Sequence, residues 1–150
     1  TGLRVGVTAA KALAYATGCA LVPVPTFHAV AGRAPAAASD LWVVADALQG
    51  QAYLQRYRDG VPAEPLRIVP AAEALPAAPA ETWFSGPGVA VFAALLADGR
   101  VVPEADREPT VASLFAAARG IAAATRAELF TMEPLYLRGS SAEEAAKARG

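Results

Sequence analysis

Polar side chains recur at Arg4, Thr8, Lys11 and Tyr15 in the opening stretch TGLRVGVTAAKALAYATG, at spacings of four, three and four. Those spacings place them on one narrow stripe of a helix. Directly opposite fall Gly2, Gly6, Ala9 and Leu13, mostly small residues that let another backbone approach, and the flanks carry Leu3, Val5, Val7 and Ala12. A helix with so little polar surface requires cover on most sides. Gly18 supplies its C-cap. The run CALVPV (Cys19–Val24) predicts a buried strand, and Thr26 is placed to cap a short helix reaching Ala31.

GRAPAAASD (Gly32–Asp40) has loop composition and marks the expected boundary between subdomains. LWVVADA (Leu41–Ala47) then reads as a strand, LQG turns at Gly50, and QAYLQRYR (Gln51–Arg58) alternates Ala52, Leu54 and Arg56 against Tyr53, Gln55 and Tyr57. The pair predicts a hairpin. LRIV (Leu66–Val69) is a third strand, and Pro70 opens a short helix as its first residue. TWFS (Thr82–Ser85) is a fourth, leading through SGPG (Ser85–Gly88) into a helix VAVFAALLAD. A further helix is expected from about Pro109 to Arg126, broken at Gly120, and PLYLR (Pro134–Arg138) reads as a last short strand. SSAEEAAKARG has a capping box, Ser141 with Glu144, but no apolar face, and predicts a frayed tail over residues 139–150. Three meandering strands followed by alternating helices and strands indicate an α/β layered domain of the ribonuclease-H-like type. The opening helix and strand belong to a different, incomplete layer.

A chain of 150 residues with a net charge of −1 suits one domain with a real core and displays no basic patch. Binding to nucleic acid through phosphate neutralisation is not advertised by such a charge. The single cysteine, Cys19, cannot close an internal disulfide, which fits a reducing compartment. From Ala12 to Gly32 there is no Lys, Arg, Asp or Glu, but Gly18, Pro23, Pro25 and His28 divide that run into helix end, strand and helix start. The Ala- and Val-rich opening stretch has no charged n-region or cleavage-site pattern within it and does not read as a signal peptide. A soluble, cytoplasmic protein with no membrane partner is the expectation.

Candidate chemistry is thin. The only histidine, His28, has no nucleophile spaced to use it, and Ser85 lacks the glycine two residues earlier that a nucleophile elbow needs. A half-buried histidine on a short helix is the simpler reading. One Cys, one His and scattered carboxylates form no metal-ligand spacing, and Glu104, Asp106 and Glu108 read as a solvated acidic loop. Gly86 and Gly88 lie between a strand and a helix, where glycines can admit a phosphate. The signal is unspecific, and Pro87 removes one donor. Asp46 ends a strand, and capping the following turn is its expected role.

Three motifs resemble the TsaB (YeaZ) family, the non-catalytic subunit of the bacterial system that makes threonylcarbamoyladenosine on tRNA. TGLRVGVTAAKALA (Thr1–Ala14) is similar to the family helix TGLRIGLATAKGLA, normally preceded by GPGSF. DALQGQAY (Asp46–Tyr53) is similar to its DARxGEVY hairpin, and EPLYLR (Glu133–Arg138) matches its C-terminal signature. Leu48 and Gln51 replace the hairpin's Arg and Glu, so those charges carry no role here. The resemblance implies a ribonuclease-H-like, actin-like ATPase (ASKHA) fold, with residues 1–33 as the remnant of an N-terminal subdomain and 34–138 as the C-terminal one. It also implies a preceding segment, so the chain is expected to be a fragment.

The catalytic paralogue, the TsaD/Kae type, carries an HxxxH metal pair in the segment matching VPTFHAV. Those two positions are Thr26 and Val30 here, with His28 out of register between them. The resemblance therefore implies a subunit without catalytic residues, metal or cofactor of its own, which activates a TsaD-like transferase acting on adenosine at tRNA position 37. A TsaE-like ATPase is a further implied partner, a homodimer is an alternative assembly, and tRNA is met only through the complex. Leu3, Val7, Ala10 and Ala14 are the expected partner contacts, with Arg4 and Lys11 as rim charges. The competing reading is a nucleotide-dependent transferase or glycoprotease-like hydrolase of the same superfamily, which would need a metal pair, a nucleophile with its base, or an intact phosphate loop. The first two are missing here, and the third would lie in the preceding segment.

Overall fold

The protein's structure, a computed structural model, describes residues 2–96 and 100–137. Its elements begin with α1 (Gly2–Thr17), α2 (Thr26–Ala31), β1 (Asp40–Asp46), β2 (Gln51–Arg58) and β3 (Val61–Pro62). β4 (Arg67–Pro70), α3 (Ala71–Ala74), β5 (Trp83–Ser85) and α4 (Gly88–Val91) follow. β6 (Arg100–Val101), α5 (Val111–Ala118) and α6 (Arg126–Thr131) complete the series. Contacts divide the chain into two units, residues 24–121 and residues 1–23 with 122–150.

In the unit of residues 24–121, β1 organises the sheet. Leu41, Trp42, Val43 and Val44 are all buried, the signature of a strand covered on both faces. Alternation still sorts them. Trp42 and Val44 join Ala52, Leu54, Phe84, Val89 and Leu75 on one face, under α3 and α4, whereas Leu41 and Val43 join Val30, Ala31, Tyr57 and Val102 on the other, under α2. A one-residue slip would exchange the two sets, so the register is fixed by both cores together. Phe84, Leu54 and Leu75 are each 1% exposed, and burying such a side chain contributes about 1.5–3 kcal/mol.

β1 pairs antiparallel with β2, from Asp40↔Arg58 to Asp46↔Ala52. On its other side β5 runs parallel, followed by parallel β6. β3 and β4 lie end to end along the outer edge of β2, opposite Tyr57–Arg58 and Gln51–Leu54 respectively. The sheet order is β3-β2-β1-β5-β6, with β4 also on β2. The hairpin, the third strand and the fourth strand thus stand where the alternation put them. The two-residue strands β3 and β6 were not foreseen, because two residues carry no period.

Several expectations are corrected. Cys19–Val24 is not a strand: Cys19 and Ala20 are exposed, and no described strand lies alongside. Leu21 O accepts from the Ala124 N–H at 2.8 Å, and the Cys19 N–H donates to Thr17 Oγ1 at 3.3 Å, neither of them a ladder bond. An apolar run without a hydrogen-bonding neighbour does not make a ladder. α2 belongs to the sheet unit, because Val30 and Ala31 fill the core over Leu41 and Val43. Pro70 caps α3 from outside instead of starting it. The helix after SGPG stops at Val91 and continues only as a 3₁₀ turn, Ala93–Leu95. Of the helix expected from Pro109 to Arg126, only Val111–Ala118 forms, ending just before the break expected at Gly120. α6 starts separately at Arg126, and each helix is opened by its own capping box, Thr110 with Ser113 and Thr125 with Glu128. Pro134–Leu137 is irregular, and Arg138, Ser141, Glu144 and the tail lie outside the described residues. Among the described residues no helix is long and apolar enough to cross a membrane.

Candidate interaction surface on the opening helix

The unit of residues 1–23 and 122–150 is built on α1. Its polar stripe faces the chain's own C-terminal segment. Lys11 Nζ donates to Phe130 O and Met132 O, both at 3.0 Å, where α6 ends. A cation there complements the helix dipole and satisfies carbonyls with no intrahelical donor. Arg4 Nε donates to the Tyr136 hydroxyl at 3.3 Å, with the guanidinium 5.2 Å from the ring centroid. That hydrogen bond raises the Arg4 pKa further above its ordinary value. Tyr15 meets Phe130 edge-on at 5.9 Å, and the Arg126 guanidinium stacks over Tyr15 at 5.0 Å.

The face opposite the stripe is uncovered by the described residues. Gly2, Gly6, Ala9 and Leu13 are exposed, as are Leu3 and Val5 beside them. Leu3 and Val5 stand 62% exposed and Leu13 64%, more than isolated surface apolar residues on a helix need. Of the expected contact residues, Leu3 is exposed, Val7 and Ala10 are half-buried, and Ala14 is buried. Arg4 and Lys11 already hold Tyr136, Phe130 and Met132. Sequence reasoning missed those three residues as their partners. The signal available was the EPLYLR motif, whose tyrosine was read as part of a strand.

Elsewhere the candidate residues have structural explanations. Gly86 has φ +96°, and a Cβ on it would lie 2.4 Å from Val44 O; one on Gly88 would lie 2.9 Å from Ala45 Cα. The SGPG turn is therefore pressed against the end of β1, and its glycines are accounted for by that close approach. The following α4 is only four residues long. Asp46 Oδ1 accepts from Leu48 N at 2.7 Å, the turn cap expected of it. His28 is half-buried, its ring stacked on Tyr57 at 6.0 Å, and its Nδ1 has no partner among the described residues. Burial pushes the Tyr57 phenol pKa well above its ordinary value.

In the acidic loop Glu104 and Glu108 are exposed, as expected of a solvated face, while Asp106 is half-buried. Asp106 Oδ1 accepts from Arg33 at 2.6 Å, and the same guanidinium reaches Ala105 O and Thr110 Oγ1. Ser85 is fully buried. Among the described residues no three His, Cys, Asp or Glu side chains are grouped as a metal site would require.

A family model described as TsaD, tRNA N6-adenosine threonylcarbamoyltransferase, matches residues 1–146. No curated protein matches the chain. Among solved structures, a crystal structure described as an uncharacterized protein with similarity to peptidase YEAZ, from Pseudomonas aeruginosa, superposes with a TM-score of 0.63 at 23% identity, over 91% of this chain and 68% of that one. That likeness shows a shared α/β fold, and together with the family model it supports the ribonuclease-H-like, actin-like ATPase (ASKHA) kind expected from the sequence. With the family model spanning nearly its whole length, the chain belongs to the TsaD family, and its resemblance to the TsaB (YeaZ) group agrees with both findings.

Proposed function

We propose that the chain is a TsaB-type, non-catalytic subunit that binds and activates a TsaD-like transferase in threonylcarbamoyl modification of tRNA adenosine, in the cytoplasm. The observation that carries this is the uncovered apolar face of α1, with Leu3, Val5 and Leu13 turned to solvent on a helix that matches the family motif. Two residue-level facts support a partner over an enzyme. The paralogue's metal-histidine positions hold Thr26 and Val30. The glycine turn that a nucleotide would use is pressed against β1. Activation then works by differential binding: contacts on α1 favour the transferase's active arrangement, and the chain forms no bond itself.

The test is reconstitution with the TsaD-like protein of the same genome and labelled threonylcarbamoyl donor. The proposal expects transfer to tRNA only when both proteins are present, with a TsaE-like ATPase increasing turnover. Transfer or ATP hydrolysis by the chain alone would establish the enzyme reading instead. Transfer by the TsaD-like protein at an unchanged rate without the chain would remove the activating role.

A further inference from the structure

We infer that residues 126–137 form a strap, latched onto the polar stripe of α1, that opens as a unit while α1 stays folded. The contacts that hold it differ in kind from those of the sheet. Each is made by exposed or half-buried side chains: Lys11 on the carbonyls of Phe130 and Met132, Arg4 on Tyr136, Tyr15 on Phe130, and Arg126 on Tyr15. Phe130 is 66% exposed and Tyr136 52%. Hydrogen bonds and ring contacts this open to water contribute little net stability each. Ordering an extended residue costs as much or more.

The strap's own backbone adds little. α6 has six residues, too short to persist alone, and its start depends on the Thr125–Glu128 capping box. Among the described residues no backbone hydrogen bond holds Glu133–Leu137. By contrast α1 has sixteen residues, past the roughly 12–15 below which an isolated helix is only marginal. Few apolar contacts and a solvent-exposed latch are the marks of a segment that opens far below global unfolding.

Opening changes what α1 presents. Latched, Lys11 is spent on two carbonyls and Arg4 on a phenol. Released, both cations and the face of Tyr15 become free. A binding partner with acidic groups gains Arg4 and Lys11 only from the open form, so such a partner would draw the equilibrium toward release. This inference concerns the chain by itself and stands or falls independently of the proposed function.

Amide hydrogen exchange on the full chain decides it, comparing wild type with Lys11→Met and Tyr136→Phe. In wild type the amides of Leu129 and Met132, bonded to Thr125 O and Glu128 O, should exchange at least about tenfold faster than those of Leu13 and Ala14 in α1. Each substitution should raise the strap rates a further five- to tenfold, about what loss of an exposed latch bond implies, and leave the α1 and β1 rates unchanged. Strap and α1 amides exchanging at one common rate in wild type would overturn the inference. Equal acceleration of strap and α1 in the variants would overturn it as well, since no separable strap would then exist.

Discussion

Replacing Gly86 with alanine asks whether packing alone shapes the SGPG turn. The backbone there has φ +96°, and the added Cβ would sit 2.4 Å from Val44 O and 3.2 Å from Val43 Cγ1. An L side chain in a left-handed conformation costs about 1–2 kcal/mol. Moving the turn away from a strand buried on both faces adds overpacking of about 1–3 kcal/mol. The sum is about 2–5 kcal/mol, which for a unit of this size lowers the melting temperature by roughly 10 °C or more. Gly50→Ala is the control. Its φ is +73°, yet nothing lies within 4 Å of the Cβ, so only the conformational cost of about 1–2 kcal/mol applies. Both variants can be followed by circular dichroism during heating and urea unfolding. If Gly86→Ala melts within about 2 °C of Gly50→Ala, a shift well under 1 kcal/mol, the close approach has no energetic weight. The packing explanation of the turn would then fail.

Other expectations are narrower. Arg33→Ala should cost about 1–2 kcal/mol, because one guanidinium ties Asp106, Ala105 O and Thr110 Oγ1 together, and Arg33→Lys should recover less than half by urea titration. Tyr57, 1% exposed, has its pKa raised by burial, so its contribution is complete below the unfolded phenol's value of 10.0 and declines as pH rises beyond it. Tyr57→Phe should therefore lessen alkaline destabilisation and remove the late component of the ultraviolet phenolate titration; an unchanged profile would refute this. Glu128 has its pKa lowered below 4.5 by the Thr125 backbone N–H and hydroxyl, so its capping is complete above the unfolded value and lost as pH falls through the lower folded one. Carboxyl carbon chemical shifts across an acid titration should show the depressed midpoint, absent in Glu128→Gln.

The sheet was legible because each of its longer strands carries its own signal. Alternation around Ala52, Leu54 and Tyr57, the turn at Gly50 and the apolar run at Leu41–Val44 fix both hairpin strands and their faces. Helix ends were less legible. Alanine favours helix everywhere, so only Thr110, Thr125 and Pro70 marked the true limits, and two of those lay inside or at the end of an overextended reading. The stripe on α1 was visible as a period, but a period does not say what covers it. The residues that cover it are more than one hundred positions away, in a segment without regular spacing. For the same reason Gly86 and Gly88 read equally as a ligand cradle or a packing contact until Val44 and Ala45 were seen against them.

The central claim, that the apolar face of α1 receives a TsaD-like partner, is tested most directly by size exclusion with light scattering. The full chain would be mixed with the TsaD-like protein of its genome, with a Leu3→Asp/Leu13→Asp variant run in parallel. Both leucines are more than 60% exposed, so the variant should keep the wild-type fold and melting temperature. A stable heterodimer with the wild type, lost in the variant, is the predicted result. A heterodimer of equal stability with both proteins, or none with either, would contradict the claim.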